Sequence, residues 1–553
     1  MKKRLLITVL LSVFLLLSFS ANNLVEATAS TGETDNISGA DNTSEADNTF
    51  KVGLEAGYPP FNWTQMDDSN GAVKIQNAAE YAGGYDVEIA KLIAESLGKE
   101  LVIIKTEWDG LIPALNSGKI DAIIAGMSPT EDRKESIDFT DNYYTSDLVM
   151  VVKSGGQYDG ATSIQDFKGA KITAQLNTFH YTVIDQIEGV QKQAAMDNFP
   201  AMRVALESGI IDGYVTERPE AISAQAANSN FKMIEFTDGF ETSPEDTAIA
   251  VGIRKGSELK EPINKALANI SEEQRKELMD NAIKNQPADE NDENVESNGI
   301  IEIISKYWPM FLRGTGVTLL ISIIGTLIGF IIGLLIGIIR TVPIPEKGIK
   351  KSIMKIVNTI LSVYIEVFRG TPMIVQAMVI YYGSKQALNI DMTPLFAGIF
   401  IVSINTGAYM AEIVRGGIVS IDRGQFEAAY AIGMGHFQTM VNIVLPQAIR
   451  NILPAIGNEF VINIKDTSVL NVIAVTELYF QTKSVAGINF KYFETFFVAS
   501  AIYLVLTFTV TRILRYIERK MDGPENYIMY ANQMQVETPE DALRREQQIK
   551  GNI

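Results

Sequence analysis

Residues able to carry out covalent or metal chemistry are scarce in this 553-residue sequence. It contains two histidines, His180 and His436, which lie far apart in the chain, and it contains no cysteine. These counts argue against a metal site built on histidine or cysteine, and they exclude a disulfide framework. The glycine-rich GMG at 433–435 lacks the lysine and the preceding strand of a phosphate-binding loop. We therefore expect no cofactor on this chain, and chemistry limited to recognition by charged, polar and aromatic side chains.

The length and the charge distribution predict several domains in an exported, membrane-bound protein. At about 100–200 residues per domain, the chain has three or four units. Residues 1–29 combine a basic start with an apolar stretch and small residues, which is typical of a cleaved signal peptide, with an uncleaved anchor as the alternative. Residues 30–49 are polar and predict a disordered spacer. The formal net charge of -19 argues against nucleic-acid binding.

Residues 50–284 show an alternation of strand and helix patterns. KVGL, LVIIK and IDAIIAGM are short β-type runs, whereas DVEIAKLIAESLG has one apolar helical face and ends at Gly98. This alternation predicts a soluble α/β domain. Residues 285–299 are polar and acidic and predict a linker.

Five apolar segments predict an all-α membrane domain over residues 300–522. The segments are 314–339, 356–382, 392–410, about 453–475 and 495–511. The loop at 340–355 is rich in lysine and arginine, which predicts that it lies in the cytoplasm. Counting onward, residues 427–446 and the tail at 523–553 are also predicted to be cytoplasmic.

A spaced pattern lies between the third and fourth predicted spans. It reads E-A-A-x3-G-x9-I-x-L-P, and its positions are Glu427, Ala428, Ala429, Gly433, Ile443, Leu445 and Pro446. Small alanines let a short helix enter a groove on a partner, and Gly433 permits a tight turn. Pro446 is expected to stop the return helix. The alternative interpretation is an ordinary helical hairpin between two spans.

With this pattern, residues 300–522 resemble the permease subunits of ABC importers. The segments EVFRGTPMIVQ and KDTSVLNVIAVTEL are similar to those of the histidine/glutamine-type branch. The resemblance implies that residues 427–446 form a coupling loop for a separate cytoplasmic ABC ATPase dimer, which would carry ATP and magnesium. Because one permease is encoded here, a homodimer embedded in membrane lipid is the simplest assembly.

Residues 50–284 resemble the substrate-binding proteins of polar amino acid importers. YPPFNW, GYDVEIAKLIAESLG, GMSPTEDR and DGYVTERPEA carry the resemblance. It implies a two-lobed, periplasmic-binding-protein-like α/β fold of type II, with a polar amino acid held between the lobes. Lobe one is expected at about 50–147 and 240–284, and lobe two at about 148–239. The segment 64–84 exceeds the family pattern and predicts a surface hairpin.

The resemblance also implies the residues that hold the amino acid. They are Glu55, Tyr58, Tyr85, Gly126, Ser128, Arg133, Gln175, Thr178 and Glu217. Arg133 is expected to bind the α-carboxylate in a bidentate pair, helped by Ser128, Thr178 and the backbone of Gly126. Glu217, at a position that is usually aspartate, would pair with the α-ammonium.

Specificity depends on the residues around the ligand's side chain. Tyr58, Tyr85 and Phe61 resemble aromatic walls, and Glu55 matches a position where an acidic residue meets the distal nitrogen, with Gln175 facing it. A carboxylate beside aromatic walls favours arginine or lysine, which bring a cation. Glutamine is the alternative.

Three other classes fit the sequence less well. A ligand-gated channel would have its pore segments inside the ligand domain, whereas here they follow it. A transmembrane sensor needs a cytoplasmic signalling domain after the last span, and an exported enzyme has no use for five spans. The sequence therefore indicates a transporter subunit and not an enzyme.

Overall fold

The computed structural model describes residues 48–286, 299–489 and 491–522. The predicted signal peptide and the tail at 523–553 lie outside the described residues, as do most of the spacer and most of the acidic linker.

The strands all belong to the first half of the described chain. They are β1 Thr49–Leu54, β2 Gly57–Tyr58, β3 Asn62–Gln65, β4 Val73–Lys74, β5 Tyr81–Gly83, β6 Glu100–Lys105, β7 Ala122–Ile123, β8 Asp138–Thr145, β9 Leu148–Lys153, β10 Lys171–Thr173, β11 Gln191–Lys192, β12 Gly213–Glu217, β13 Phe231–Ile234 and β14 Ala248–Ile253.

The helices fall into two sets along the chain. The first set is α1 Tyr85–Leu97, α2 Leu111–Asn116, α3 Glu131–Lys134, α4 Phe179–Val183, α5 Phe199–Glu207, α6 Arg218–Ala227, α7 Lys260–Ala268 and α8 Glu272–Asn285. The second set is α9 Gly299–Thr341, α10 Ile349–Gly370, α11 Met373–Leu388, α12 Pro394–Val419, α13 Arg423–Ala431, α14 His436–Thr439, α15 Leu445–Asp466, α16 Leu478–Asn489 and α17 Tyr492–Asp522.

Two mixed five-stranded sheets build the α/β domain. The first has the order β6-β1-β7-β14-β8, with β1 parallel to β7 and β14 antiparallel to both of its neighbours. The second has the order β11-β10-β12-β9-β13 and is formed wholly by residues between 148 and 234. The chain thus leaves the first sheet, builds the second and returns through β14, so each sheet forms the core of one lobe.

The predicted hairpin at 64–84 belongs to a third, antiparallel sheet with the order β2-β3-β5-β4. It does not lie free on the surface, as the sequence suggested. Glu80 is 3% exposed and binds the guanidinium of Arg313 in α9. Since a buried carboxylate needs a partner, this pair fixes the sheet against the helical domain.

Helices α9 and α12 pack closely because glycines line the contact. Gly325, Gly329, Gly333 and Gly337 recur every four residues, which places them on one face of α9. A Cβ on Gly333 would lie 2.3 Å from Met410 Cβ, and one on Gly329 would lie 2.7 Å from Thr406 Cβ. Small residues at this spacing allow close helix approach in membranes, where lipid supplies no hydrophobic driving force.

The membrane segments differ from the prediction in continuity. Among the residues that the structure describes, three helices are long and apolar enough to cross a membrane, namely Gly299–Thr341, Pro394–Val419 and Tyr492–Lys520. The second predicted span is broken: α10 and α11 meet at a bend of 112° and together could form a fourth span. The break falls at Thr371–Pro372, since a proline removes a helical hydrogen bond and disfavours helical geometry in the residue before it. The predicted count of five spans stays a prediction; the fourth predicted span falls on α15 and the 3-10 turn after it.

Candidate ligand cleft and coupling hairpin

A cleft between the two sheets gathers most of the residues expected to bind the ligand. Its lining consists of Tyr58, Trp108, Gly126, Ser128 and Arg133 from lobe one, and of Gln175, Thr178, Phe179, His180 and Glu217 from lobe two. Seven of the nine expected residues therefore meet there. Glu55 does not line the cleft itself but accepts a hydrogen bond from Gln175, which does, and Tyr85 does not line the cleft.

Arg133 lies in the short helix α3, directly after the SPT turn that leaves β7. Its Nη1 donates to the carbonyl of Ser128 at 2.9 Å, and its Nη2 donates to the carbonyl of Asn177 at 3.1 Å. The guanidinium lies 5.2 Å from the ring centroid of Trp108. Burial lowers the pKa of Arg133 to about 10, although Glu217 opposes this shift. The guanidinium is thus a cation at neutral pH. The carbonyls of Ser128 and Asn177 accept hydrogen bonds from it, and the ring of Trp108 lies beside it.

Glu217 ends strand β12 and precedes helix α6. It is 3% exposed; it accepts a hydrogen bond from the hydroxyl of Tyr58 and lies 2.9 Å from His180 Nε2. Burial acts to raise the pKa of Glu217, but the charge of His180 beside it and the hydrogen bond from Tyr58 lower it overall. This carboxylate is therefore ionised, and an α-ammonium could replace one of these partners.

Glu55 follows strand β1 and faces lobe two. Its Oε2 accepts a hydrogen bond from Gln175 Nε2 at 3.2 Å, while its Oε1 is buried and has no hydrogen-bond partner within the described ranges. Burial, followed by the charge of Glu107, raises the pKa of Glu55 to about 7, against the opposing effect of Lys483, Gln175 and Lys105. A buried carboxylate oxygen without a donor is costly, and a cationic ligand would supply that donor.

This pKa predicts a pH dependence of ligand affinity. A cationic ligand would bind the ionised form of Glu55 and lower its pKa, so the affinity for such a ligand is expected to rise with pH through about 7 and then to level off. Below about pH 7, the Kd should increase by up to about tenfold for each unit by which the pH falls. Calorimetric titration of the full-length protein between about pH 5.5 and about pH 8.5 measures this slope. A slope that persists in Glu55→Gln would assign it to another group.

Tyr85 is not a wall of the cleft. It is fully buried at the start of α1, and its hydroxyl donates to the carbonyl of Tyr143 at 3.0 Å. Phe61 stands behind Tyr58, with ring centroids 4.9 Å apart, so it supports that ring from inside lobe one. Tyr85 and Phe61 are thus fully buried core residues of lobe one.

Gly126 acts through its lack of a side chain. Its φ is +63°, and a Cβ there would lie 2.6 Å from Tyr58 Cε1. Its amide, which was expected to bind the ligand, donates instead to the hydroxyl of Tyr143 at 3.1 Å.

Thr178 lies at the start of α4, and its hydroxyl donates to the carbonyl of Gln175 at 2.7 Å. Thr178 can therefore bind a ligand in two ways: its hydroxyl oxygen can accept a hydrogen bond, and its backbone amide can donate one.

Three lining residues were missed from the sequence: Trp108, Phe179 and His180. Trp108 lies three residues after the end of β6, and the signal that could have found it was a large aromatic residue shortly after a strand. Phe179 and His180 follow Thr178 in the sequence, and only the close approach of α4 to β12 makes His180 a partner of Glu217.

The lobes are closed on one another. Tyr58 bonds Glu217, Gln175 bonds Glu55, and Asn177 Nδ2 donates to Asp109 Oδ1 at 2.7 Å. Each of these bonds joins lobe one to lobe two. An amino acid must therefore enter after a hinge opening and be enclosed on closure.

The predicted coupling loop forms a helical hairpin. Glu427, Ala428 and Ala429 lie in α13, with Ala429 buried, and Gly433 turns the chain with a φ of +83°. The prediction for Pro446 is wrong, because Pro446 lies in the first turn of α15, which continues to Asp466. The π-helical segment Met440–Val444, which contains Ile443, directly precedes α15. Helix α15 begins at Leu445, so Pro446 lies in its first turn, where a proline is tolerated because no helical donor is required.

Two apolar side chains project from this hairpin. Ile432 is 77% exposed and Phe437 is 78% exposed, on either side of the turn at Gly433. Exposed large apolar residues at the tip of a hairpin are typical of a contact with a partner.

Two family models match this chain. Bacterial extracellular solute-binding proteins, family 3, match residues 50–284, and the binding-protein-dependent transport system inner membrane component matches residues 348–523. The glutamine transport system permease protein GlnP of Escherichia coli strain K12 is 39% identical over 214 residues, which are 38% of this chain and 93% of GlnP. The chain belongs to the ABC importers of polar amino acids. It is a fused binding protein and permease.

The chain is also similar to other transport proteins. The nopaline transport system permease protein NocM of Agrobacterium fabrum is 36% identical over 227 residues, covering 39% of this chain and 90% of NocM. The structure of the arginine-bound substrate-binding protein AbpA from Streptococcus pneumoniae is 26% identical, covers 43% of this chain and 96% of AbpA, and gives a TM-score of 0.38. With permeases as relatives and apolar helices of spanning length, this importer component is integral to the membrane.

Proposed function

We propose that this importer component carries a cationic L-amino acid, arginine or lysine, into the cell. The observation that carries this proposal is the buried Glu55 Oε1, which has no hydrogen-bond donor in the described part of the chain. A guanidinium or ammonium at the end of an aliphatic chain would satisfy it, while Arg133 and Glu217 take the carboxylate and the α-ammonium. Trp108 and Tyr58 would cover the methylenes between these charges.

Glutamine is the second candidate. A side-chain amide can also donate to Glu55, and a relative of the permease half is named a glutamine permease. Gln175 already shows that an amide fits against this carboxylate.

Substitution of Glu55 separates the two candidates. In Glu55→Gln the charge is lost at nearly constant shape, so the Kd for arginine is expected to rise by roughly 10- to 100-fold and the Kd for glutamine to change by less than about threefold. Calorimetry on full-length protein in lipid nanodiscs measures both constants. Glu95→Gln, an exposed carboxylate of α1, is the matched control. Unchanged arginine affinity in Glu55→Gln would refute the cationic substrate, and tight glutamine binding alone would favour the alternative.

The transport cycle that we propose needs partners outside this chain. Two copies of the permease domain pair in the lipid bilayer, with the binding domain outside the cell and the hairpin 427–446 in the cytoplasm. A separate ABC ATPase dimer binds ATP and magnesium and pushes on that hairpin. The basic loop at 340–355 supports this orientation, and cysteine-labelling of Gly433→Cys from either side of the membrane would test it. Native mass spectrometry of the purified chain tests the homodimer.

A further inference from the structure

The permease contacts the binding domain directly beside the ligand cleft. Lys483 of α16 donates to Glu107 Oε2, and the adjacent Ser484 accepts a hydrogen bond of 2.7 Å from Lys105. Glu107 immediately precedes Trp108, which lines the cleft. An ammonium group of the permease thus lies one residue away from the cleft wall.

The charges around Glu55 make this contact relevant to the ligand. Glu107 acts on Glu55 to raise its pKa, after burial itself, whereas Lys483 and Lys105 act to lower it. From the binding domain alone, Glu55, Glu107 and Lys105 sum to -1, since two carboxylates face one lysine. Contact with the permease adds Lys483 and brings this local sum to zero.

Other ion pairs also hold the two domains together. Lys119 of lobe one donates to Asp391 at 2.7 Å, and Glu80 binds Arg313. Lys119 and Asp391 are not among the main charges that act on Glu55 within the described chain, whereas Glu80 acts on Lys105 of the cluster. The attachment of lobe one therefore does not depend on Lys483 alone.

We propose that Lys483 is the residue through which docking on the permease weakens the hold of the binding domain on a cationic amino acid. In the undocked state the negative cluster attracts the ligand's distal cation; in the docked state Lys483 takes up Glu107 and repels that cation. Release is then favoured at the mouth of the permease, where it is productive. The coupling is reciprocal, so a cationic ligand weakens docking by the same factor. This inference rests on the proposed cationic substrate.

The test compares ligands whose side chains differ in charge. Full-length protein in nanodiscs is titrated with arginine and with a neutral ligand, citrulline or glutamine; citrulline carries a urea where arginine carries a guanidinium. In Lys483→Gln the Kd for arginine is expected to fall by about threefold to tenfold, while the Kd for the neutral ligand stays within about twofold. Lys385→Gln is the matched control, because Lys385 is a permease lysine that contacts Asp391 at 3.4 Å while Lys119 keeps its own bond to Asp391.

The outcomes separate this inference from the proposed function. Equal changes for both ligands would mean that Lys483 acts through packing, and no change for arginine would mean that it does not reach the ligand; either result overturns the inference and leaves the cationic substrate standing. A fall in the arginine Kd in Lys385→Gln as large as in Lys483→Gln would assign the effect to general permease charge and overturn it too. Failure of arginine and lysine to bind the unaltered protein would overturn the proposed function.

Discussion

Replacement of Arg133 by glutamine is expected to weaken the binding of every α-amino acid by roughly 100-fold or more, since it removes the charge-assisted bidentate partner that we propose for the α-carboxylate inside a desolvated cleft. The loss should be similar for arginine, lysine and glutamine, because all three share this carboxylate. Arg133→Lys is expected to recover only part of the affinity, since a single ammonium cannot reproduce the planar pair of donors. Calorimetry on the full-length protein gives these constants.

The neighbouring residue provides the control for this experiment. Lys134 lies in the same short helix but points to Glu245, with which it forms a 3.0 Å ion pair at the surface. Lys134→Gln should leave all three constants within about twofold, as exposed pairs contribute little. If Lys134→Gln weakens binding as much as Arg133→Gln does, the effect comes from helix α3 as a whole, and Arg133 does not bind the carboxylate.

The exposed tip of the coupling hairpin should be indispensable for transport and irrelevant to binding. Phe437→Asp combined with Ile432→Asp places two charges on a surface that we expect to enter an apolar groove of the ATPase, where unpaired charges are costly. Uptake of labelled arginine into proteoliposomes that contain the chain and its ATPase should fall at least tenfold. The Kd for arginine should not change, because no residue that lines the cleft belongs to the hairpin.

Variants that keep the apolar surface distinguish docking from folding. Phe437→Leu is expected to retain most of the uptake, since it preserves an apolar side chain at the tip of the hairpin. Uptake that is equally low in Phe437→Leu and in the double aspartate variant would show that the shape of Phe437 is needed for another reason. Uptake that survives both aspartates would remove the hairpin tip from the ATPase contact.

The regular elements with strong local signals could be predicted from the sequence. Helix α1 ends at Leu97, with Gly98 in a left-handed conformation directly after it, as the apolar periodicity and the glycine indicated. The continuity of the second span could not be predicted from hydropathy, because Pro372 breaks the helix without changing the apolar character of the segment. Pro446 led to a wrong prediction in the other direction, because it does not stop a helix here. The effect of a proline depends on where the helix begins, and α15 begins at Leu445, directly after the π-helical segment.

The cleft was only partly accessible to sequence reasoning. Arg133, Ser128 and Glu217 stand in short motifs whose residues carry charge or hydrogen-bonding groups, so their types and order could indicate a site. Tyr85 and Trp108 are both aromatic residues beside strands, and the sequence offered no means to decide which faces the other lobe. That direction depends on how helix α1 packs against lobe one, which is a tertiary relation.

The sequence by itself determined that this chain joins a soluble α/β receptor to apolar helices, because composition, periodicity and spaced motifs are local properties of the chain. The tertiary structure decided which groups meet across long separations: His180 with Glu217, Gln175 with Glu55, and Lys483 with Glu107 across 376 positions. Pairings of this kind arise from lobe closure and from contact between domains. The energies of these pairings depend on burial and on distance, and neither quantity can be read from the local sequence.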